Sequence, residues 1–355
     1  MTGLYGGSEV LPSKEPILLV DVYAPPRGTG QSALALRAAG SGFDGFWTAE
    51  VDHDPFLPLA VAADRGVRLT LGTAIAVAFA RSPMTLAHTA WDLAEATHGR
   101  FVLGLGTQIR PHIVGRFSMP WSAPVPRMRE FVGALRAVWS AWQLGERLRY
   151  RSDHYRLSLM TPFFDPGPIG HPDIPVFLAA VGPGMARLVG EIGDGIHIHP
   201  FHTREYLDRV VWPAIEAGAA SSGRDRAAIT AAAALFVVTG RDDAELEEAA
   251  VAVRRQISFY ASTPAYAGVL ERHGWEVGER LNAMSKRGEW DAMADLIDDE
   301  MLRTVAVVAP PQDVASAVIA RCRGVIDRVG LYPAGPLDQL DPLWVEITAA
   351  VRTGG

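Results

Sequence analysis

Four segments of this 355-residue chain carry side chains suited to proton transfer or ligand binding. The first is Glu50-Val51-Asp52-His53-Asp54-Pro55, an unusually polar run directly after an apolar one. A histidine beside a carboxylate titrates near neutral pH, so Asp52 and His53 can hydrogen-bond a bound ring and move one proton. Asp54 stands where a cap is needed for a helix starting at Pro55. Glu50 can anchor the floor of a site by accepting backbone N–H groups.

The second segment is a pair, Leu71-Gly72-Thr73-Ala74-Ile75-Ala76 and Gly104-Leu105-Gly106-Thr107-Gln108. Glycine and small residues in a strand permit a bulge or close backbone approach to a flat ligand, and they also serve plain packing. The third is Ala180-Val181-Gly182-Pro183-Gly184-Met185. Gly182 exposes backbone N–H groups, and Pro183 has none to waste in a first helical turn. Such a positive terminus suits a phosphate. The fourth is His197-Ile198-His199-Pro200-Phe201-His202. Alternate residues of a strand share a face, so His197 and His199 could act as paired metal ligands. Only Asp52 and Asp21 could complete a triad, which favours hydrogen bonding by one or two histidines over a metal.

Placing these segments at one end of a molecule requires a repeating scaffold. Apolar runs at Ile17–Tyr23, Gly45–Glu50, Arg68–Ala76 and Phe101–Gly106 read as buried strands, as do Pro175–Val181, Gly195–His199, Ile229–Thr239 and Asp327–Tyr332. Helical stretches at Ser32–Ala39, Pro55–Arg65 and Pro83–Thr97 open near Ser or Pro. About eight strand–helix units predict a closed (β/α)8 TIM barrel in one domain over residues 1–355. An open doubly wound sheet would carry a glycine fingerprint after its first strand, and none follows Tyr23. Two insertions break the alternation. Residues 143–173 hold a candidate hairpin, Leu148–Tyr150 with Tyr155–Leu159, and residues 262–300 hold helical patches around Gly274–Trp275 and Trp290–Asp299.

Composition narrows the function classes. With 48% hydrophobic and 21% charged residues and a net charge of −7, the chain is an ordinary globular one with no signature of nucleic-acid or anionic-membrane partners. Its one cysteine, Cys322, excludes a disulfide framework and a multi-thiolate metal site. The polar start, Met1 to Pro16, does not read as a signal peptide, and the longest apolar runs are too short to span a membrane. A cytoplasmic setting is expected. Neither a Gly-x-Ser-x-Gly elbow nor a P-loop occurs.

The chain resembles the luciferase-like monooxygenase superfamily, and within it the actinobacterial oxidoreductases that use coenzyme F420, a 5-deazaflavin. The resemblance is carried by Gly42-Phe43-Asp44-Gly45-Phe46-Trp47-Thr48-Ala49-Glu50, Leu71–Ile75, Arg81-Ser82-Pro83 and Gly99–Gln108. It continues through Met119-Pro120-Trp121, Val181–Met185 and His273-Gly274-Trp275. It implies a cofactor ring against the third strand, with a non-proline cis peptide within Thr73, Ala74 and Ile75, first of all at Ala74–Ile75. It implies a phosphate site at Gly182, Gly184 and Met185, and a strand-two acid–histidine pair at Asp52 and His53. One departure stands out. Sugar-phosphate dehydrogenases of the family place a glutamate just after the strand-four glycines, where this chain has Ile109, then Arg110 and His112.

The expected catalytic set is His53, Asp52, His112 and His199. The expected cofactor set is Asp21, Glu50, Asp52, Thr73, Ala74, Ile75, Gly106, Thr107, Gln108, Val181, Gly182, Gly184 and Met185, with no metal. Arg110, Arg116 and Lys286 are candidates to meet an acidic cofactor tail. The activity implied is hydride transfer between coenzyme F420 and a small organic substrate; the alternative is an FMN-dependent monooxygenase using reduced FMN and O2. A homodimer or higher homo-oligomer is implied, with Trp91 and the Ala-rich helical faces available as an interface.

Overall fold

The computed structural model describes residues 18–24, 30–333 and 340–354. Eight parallel strands close on themselves in sequence order: β1 (Leu19–Tyr23), β2 (Gly45–Thr48), β3 (Thr70–Thr73), β4 (Phe101–Gly106), β5 (Val176–Ala180), β6 (Gly195–Ile198), β7 (Thr230–Val238) and β8 (Arg328–Tyr332). The β8–β1 pairing completes the (β/α)8 TIM barrel. Every expected strand is present: Phe101–Gly106 has the expected bounds, the others are one to three residues shorter at one or both ends, and Ile17 lies outside the described residues.

Short aspartate side chains set the strand register at the entrance end. Asp44, Asp194 and Asp327 stand just before β2, β6 and β8. Each accepts the N–H of a neighbouring strand, from Val20 at 2.9 Å, Val176 at 2.9 Å and Ala231 at 2.7 Å respectively. These bonds satisfy donors that the ladder leaves open.

Outer helices include α1 (Gln31–Gly40), α2 (Leu57–Asp64), α3 (Pro83–Ala96), α4 (Pro124–Leu144), α5 (Pro183–Ile192), α6 (Trp212–Ser221), α7 (Asp243–Ala261), α8 (Pro311–Cys322) and α9 (Pro342–Thr353). Ser82 caps α3, as its sequence position suggests, by accepting the Thr85 N–H. Trp91, a candidate interface residue, is instead buried. Its ring packs 5.5 Å from that of Trp142, and its Nε1 donates to the Gly167 carbonyl. A tryptophan in the α3–α4 seam gains more from that packing than an exposed face could offer. Cys322 is also buried, which pushes its thiol up to about 12.

Residues 143–173 and 262–300 hold short elements of their own. The hairpin pairs Tyr150 with Leu157 and Arg151 with Arg156. In the second insertion, Gly274–Trp275 is a turn rather than helix. Gly274 sits at φ +67°, between the short helices Ala267–Arg272 and Gly278–Arg287. Among the described residues, no helix is long and apolar enough to cross a membrane.

The barrel interior has its own small core of Trp47, Val102, Phe177 and Ala232, against which Tyr23 and Ala74 pack. Gly72 makes room for the Trp47 indole, since a Cβ there would fall 2.4 Å from the ring. Beneath the indole, Arg328 donates to Asp21 through Nε at 2.9 Å and Nη2 at 2.7 Å, and Trp47 Nε1 adds a third bond at 2.8 Å. Asp21, expected at the cofactor site, is therefore part of the interior plug. Its register places it at mid-strand: it pairs with Gly45, the first residue of β2, two residues before β1 ends at Tyr23.

Candidate active site

The C-terminal ends of β2, β3 and β4 are tied into one shelf. Leu71 and Gly72 pair with Phe101 and Val102, and pairing resumes with Ala76 and Val77 against Leu105 and Gly106. Between these pairs one chain advances four residues and the other three, so β3 carries one extra residue as a bulge. The Ala74–Ile75 peptide inside the bulge is cis, at the position the resemblance implies. Thr73 closes the gap beneath it, donating its hydroxyl to the Gly104 carbonyl at 2.7 Å and accepting the Gly104 N–H at 3.0 Å. Gly104 and Gly106 are required by this approach. A Cβ on Gly104 would lie 1.8 Å from the Thr73 carbonyl oxygen, and one on Gly106 would lie 2.6 Å from Ile75.

Glu50 holds the bulge from the β2 side. Its N–H donates to the Ile75 carbonyl at 3.0 Å, and its Oε2 accepts the Val77 N–H at 2.7 Å. The same oxygen meets Arg81 Nη1 at 2.5 Å, while Arg81 Nη2 reaches Asp54 at 3.2 Å. Asp54 in turn accepts the N–H groups of Phe56 and Leu57 at the start of α2. Glu50 thus anchors backbone N–H groups of the shelf, and Asp54 accepts N–H groups at the entry to α2, which begins at Leu57 with Phe56 as its N-cap rather than at Pro55. Glu50 acts as a positioning residue beneath the shelf.

Asp52 and His53 stand at the rim, 3.9 Å apart and with side chains 63% and 51% exposed. Arg116 donates to the Val51 carbonyl, tying this loop to the β4 loop. Its guanidinium is thus engaged at the rim. His112 lies on the same β4 loop, in a single π-turn at His112–Arg116, and is exposed. Thr107 and Gln108 are spent largely on their own turn. Gln108 sits at φ +58° and accepts the Ile109 N–H through its side chain, while Thr107 donates to the Gln108 carbonyl.

Across the mouth, Val181 leads into α5. Gly182 is its N-cap in extended geometry, no side chain caps it, and a Cβ at Gly182 would meet nothing within 4 Å. The N–H groups of Gly184 and Met185 have no intrahelical partner, which leaves a half-buried to exposed positive terminus open to an anion.

β6 brings its histidines to two depths. His197 lies inside the barrel, its ring 4.9 Å from Trp47 and 5.4 Å from Phe177, and burial pushes it down to about 3. His199 is at the mouth, against Tyr260 and Tyr266. His202 is buried, with Nδ1 2.7 Å from the His199 carbonyl. Among the described residues, no three His, Cys, Asp or Glu side chains converge as metal ligands would. The tyrosines escaped sequence reasoning because they come from α7 and an insertion with no motif; only the aromatic spacing Tyr260…Tyr266 hinted at them.

A surface cavity of about 740 Å³ is elsewhere. Trp139, Leu144, Pro175 and Asp194 line it at the entrance ends of β5 and β6, opposite the mouth. The mouth, where the loops that follow the strands converge, is the stronger candidate for chemistry in a barrel of this kind.

Comparison with known proteins agrees with this geometry. A family model described as luciferase-like monooxygenase matches residues 20–328. An uncharacterised protein of Mycobacterium tuberculosis is 55% identical over 299 residues, covering 84% of this chain and 87% of that one. The 5,10-methylenetetrahydromethanopterin reductase of Archaeoglobus fulgidus is 29% identical over 309 residues, covering 84% and 88%. The solved coenzyme F420 dependent tetrahydromethanopterin reductase of Methanopyrus kandleri superposes with a TM-score of 0.76 at 20% identity, covering 95% and 97%. With its barrel, its bulged third strand and a family match over most of its length, the chain belongs to the luciferase-like monooxygenase family.

Proposed function

We propose that this protein is an oxidoreductase that transfers a hydride between coenzyme F420 and a small organic substrate. The observation that carries the reading is the pairing of two features at one barrel end: the Ala74–Ile75 shelf braced by Glu50, and the uncapped α5 terminus at Gly182–Met185. A flat ring with a phosphate-bearing side chain needs both, and the orphan N–H groups of that terminus fit the phosphate. Relatives whose names state F420 dependence, a glucose-6-phosphate dehydrogenase and a putative oxidoreductase, support the deazaflavin over FMN.

When bound, the deazaflavin supplies a two-electron hydride carrier that does not activate oxygen. The protein's part is orientation and proton handling. Thr73, Ala74 and Ile75 present the shelf, Gly106 lets it approach β4, and Gly182, Gly184 and Met185 hold the phosphate through backbone N–H groups. His53, steadied by Asp52, exchanges the proton with solvent at the rim. His112 is the second rim histidine within the same loop system.

Fluorescence titration of the full chain with coenzyme F420 and, separately, with FMN tests this reading. Saturable uptake of F420 alone is expected. Uptake of FMN alone would replace it with the flavin monooxygenase alternative.

A further inference from the structure

His199 leaves β6 at the mouth, and its ring is built into an aromatic wall. Its centroid lies 4.4 Å from that of Tyr260, edge to face, and 4.6 Å from that of Tyr266. Phe236 of β7 links Tyr260, at 6.4 Å, to Tyr332 of β8, at 5.4 Å. One imidazole and three phenols from four separate segments therefore share one wall.

The proton on His199 is assigned by its neighbours. The Phe201 N–H donates to Nδ1 at 3.1 Å, and a ring nitrogen that accepts carries no proton. Burial, assisted by His202, holds the ring neutral by pushing it down to about 3. Its single proton is therefore on Nε2, which has no hydrogen-bond partner among the described residues.

The three phenols are neutral as well. Burial raises Tyr260, Tyr266 and Tyr332, Tyr266 to about 12. Among the described residues, no hydrogen bond or ion pair joins any of these four side chains to a lysine, arginine, aspartate or glutamate; their neighbours are one another, Phe236 and the Phe201 amide. An ionised head group brought here would lose hydration with no opposite charge to offset it. A neutral oxygen needs only a donor.

We infer that His199 is a specificity-determining donor: its Nε2–H, locked by the Phe201 amide, binds the oxygen of an uncharged ketone, aldehyde or alcohol whose apolar body lies against Tyr260 and Tyr266. The inference rests on the mouth being the active site, as proposed above, and does not depend on which cofactor occupies it.

Acetophenone, benzoate and phenyl phosphate share a phenyl body and differ in head group, so they probe the site directly. Full-length protein labelled with ¹⁵N-histidine is titrated with each, with and without the cofactor it takes up. Long-range ¹H–¹⁵N spectra should show His199 neutral, with its proton on Nε2, between about pH 6 and pH 8. Acetophenone should bind in preference and shift that signal. His199→Phe should weaken its binding about tenfold, while His199→Gln, whose amide N–H reaches as far, should keep most of it. A proton on Nδ1, preference for either anion, no acetophenone binding, or binding that leaves the signal unmoved would each overturn the inference. If His199→Phe does not fold, His199→Gln and the native spectra carry the test. Failure of the F420 reading shows separately, in the cofactor titration, and leaves the tautomer and the head-group ranking readable.

Discussion

Arg81 Nη1 meets Oε2 of Glu50 at 2.5 Å, on the oxygen that also accepts the Val77 N–H. One carboxylate oxygen thus joins a backbone donor beyond the cis peptide to a cation on the neighbouring turn. Both side chains are largely buried, so the link is screened less than a surface ion pair.

Glu50→Gln removes the charge and keeps the shape. Arg81 is then left with Asp54 as its one carboxylate partner, and the expected loss of stability is about 2 kcal/mol. Cofactor affinity should fall at least tenfold, because the shelf loses its brace from β2. Urea unfolding and a cofactor titration measure the two effects. Lost stability with unchanged affinity would show that the brace does not reach the ring site.

His53→Ala separates chemistry from binding. The imidazole is at the rim and braces no backbone, so cofactor uptake should be nearly unchanged while turnover falls by about 10². Steady-state kinetics beside a binding titration decide it. Unchanged turnover moves the proton step to His112 or to water.

The barrel was legible because eight apolar runs alternate with helical periodicity, a pattern set by burial of each strand on both faces. The shelf was legible in part. Glycines at 104 and 106 and small residues at 72–76 advertise close backbone approach, and family resemblance places the cis bond. Asp21, expected at the cofactor site, is instead buried in the barrel interior. Its partner Arg328 is 307 positions away, and no local pattern announces that pair. The aromatic wall was invisible for a related reason: His199, Tyr260, Tyr266 and Tyr332 meet only once β6, α7, an insertion and β8 are folded together.

Three β6-region histidines make stability depend on pH with a definite sign. Burial holds His197 and His199 down to about 3 and His202 to about 4, all below the ordinary value of 6.5. In the unfolded chain they take up protons as pH falls through 6.5, while the folded chain does not. Stability should therefore be full above about pH 7 and decline down to about pH 4, by up to about 1.4 kcal/mol per pH unit for each histidine. Urea midpoints across that range measure the slope, and His202→Gln should flatten it by one histidine's share. A slope the variant leaves intact would mean that His202 protonates in the folded protein.

Gly182→Asp tests the phosphate site without threatening the fold. Gly182 is extended, at φ −87° and ψ 164°, with open space where a Cβ would stand, so aspartate fits without strain. Its carboxylate would cap the first-turn N–H groups of α5 and bring negative charge to the very donors a phosphate needs. The melting temperature should hold or rise while cofactor affinity drops at least tenfold. Differential scanning calorimetry and the cofactor titration read the two separately. A stabilised variant that binds cofactor as well as the native chain would place the phosphate somewhere other than the α5 terminus.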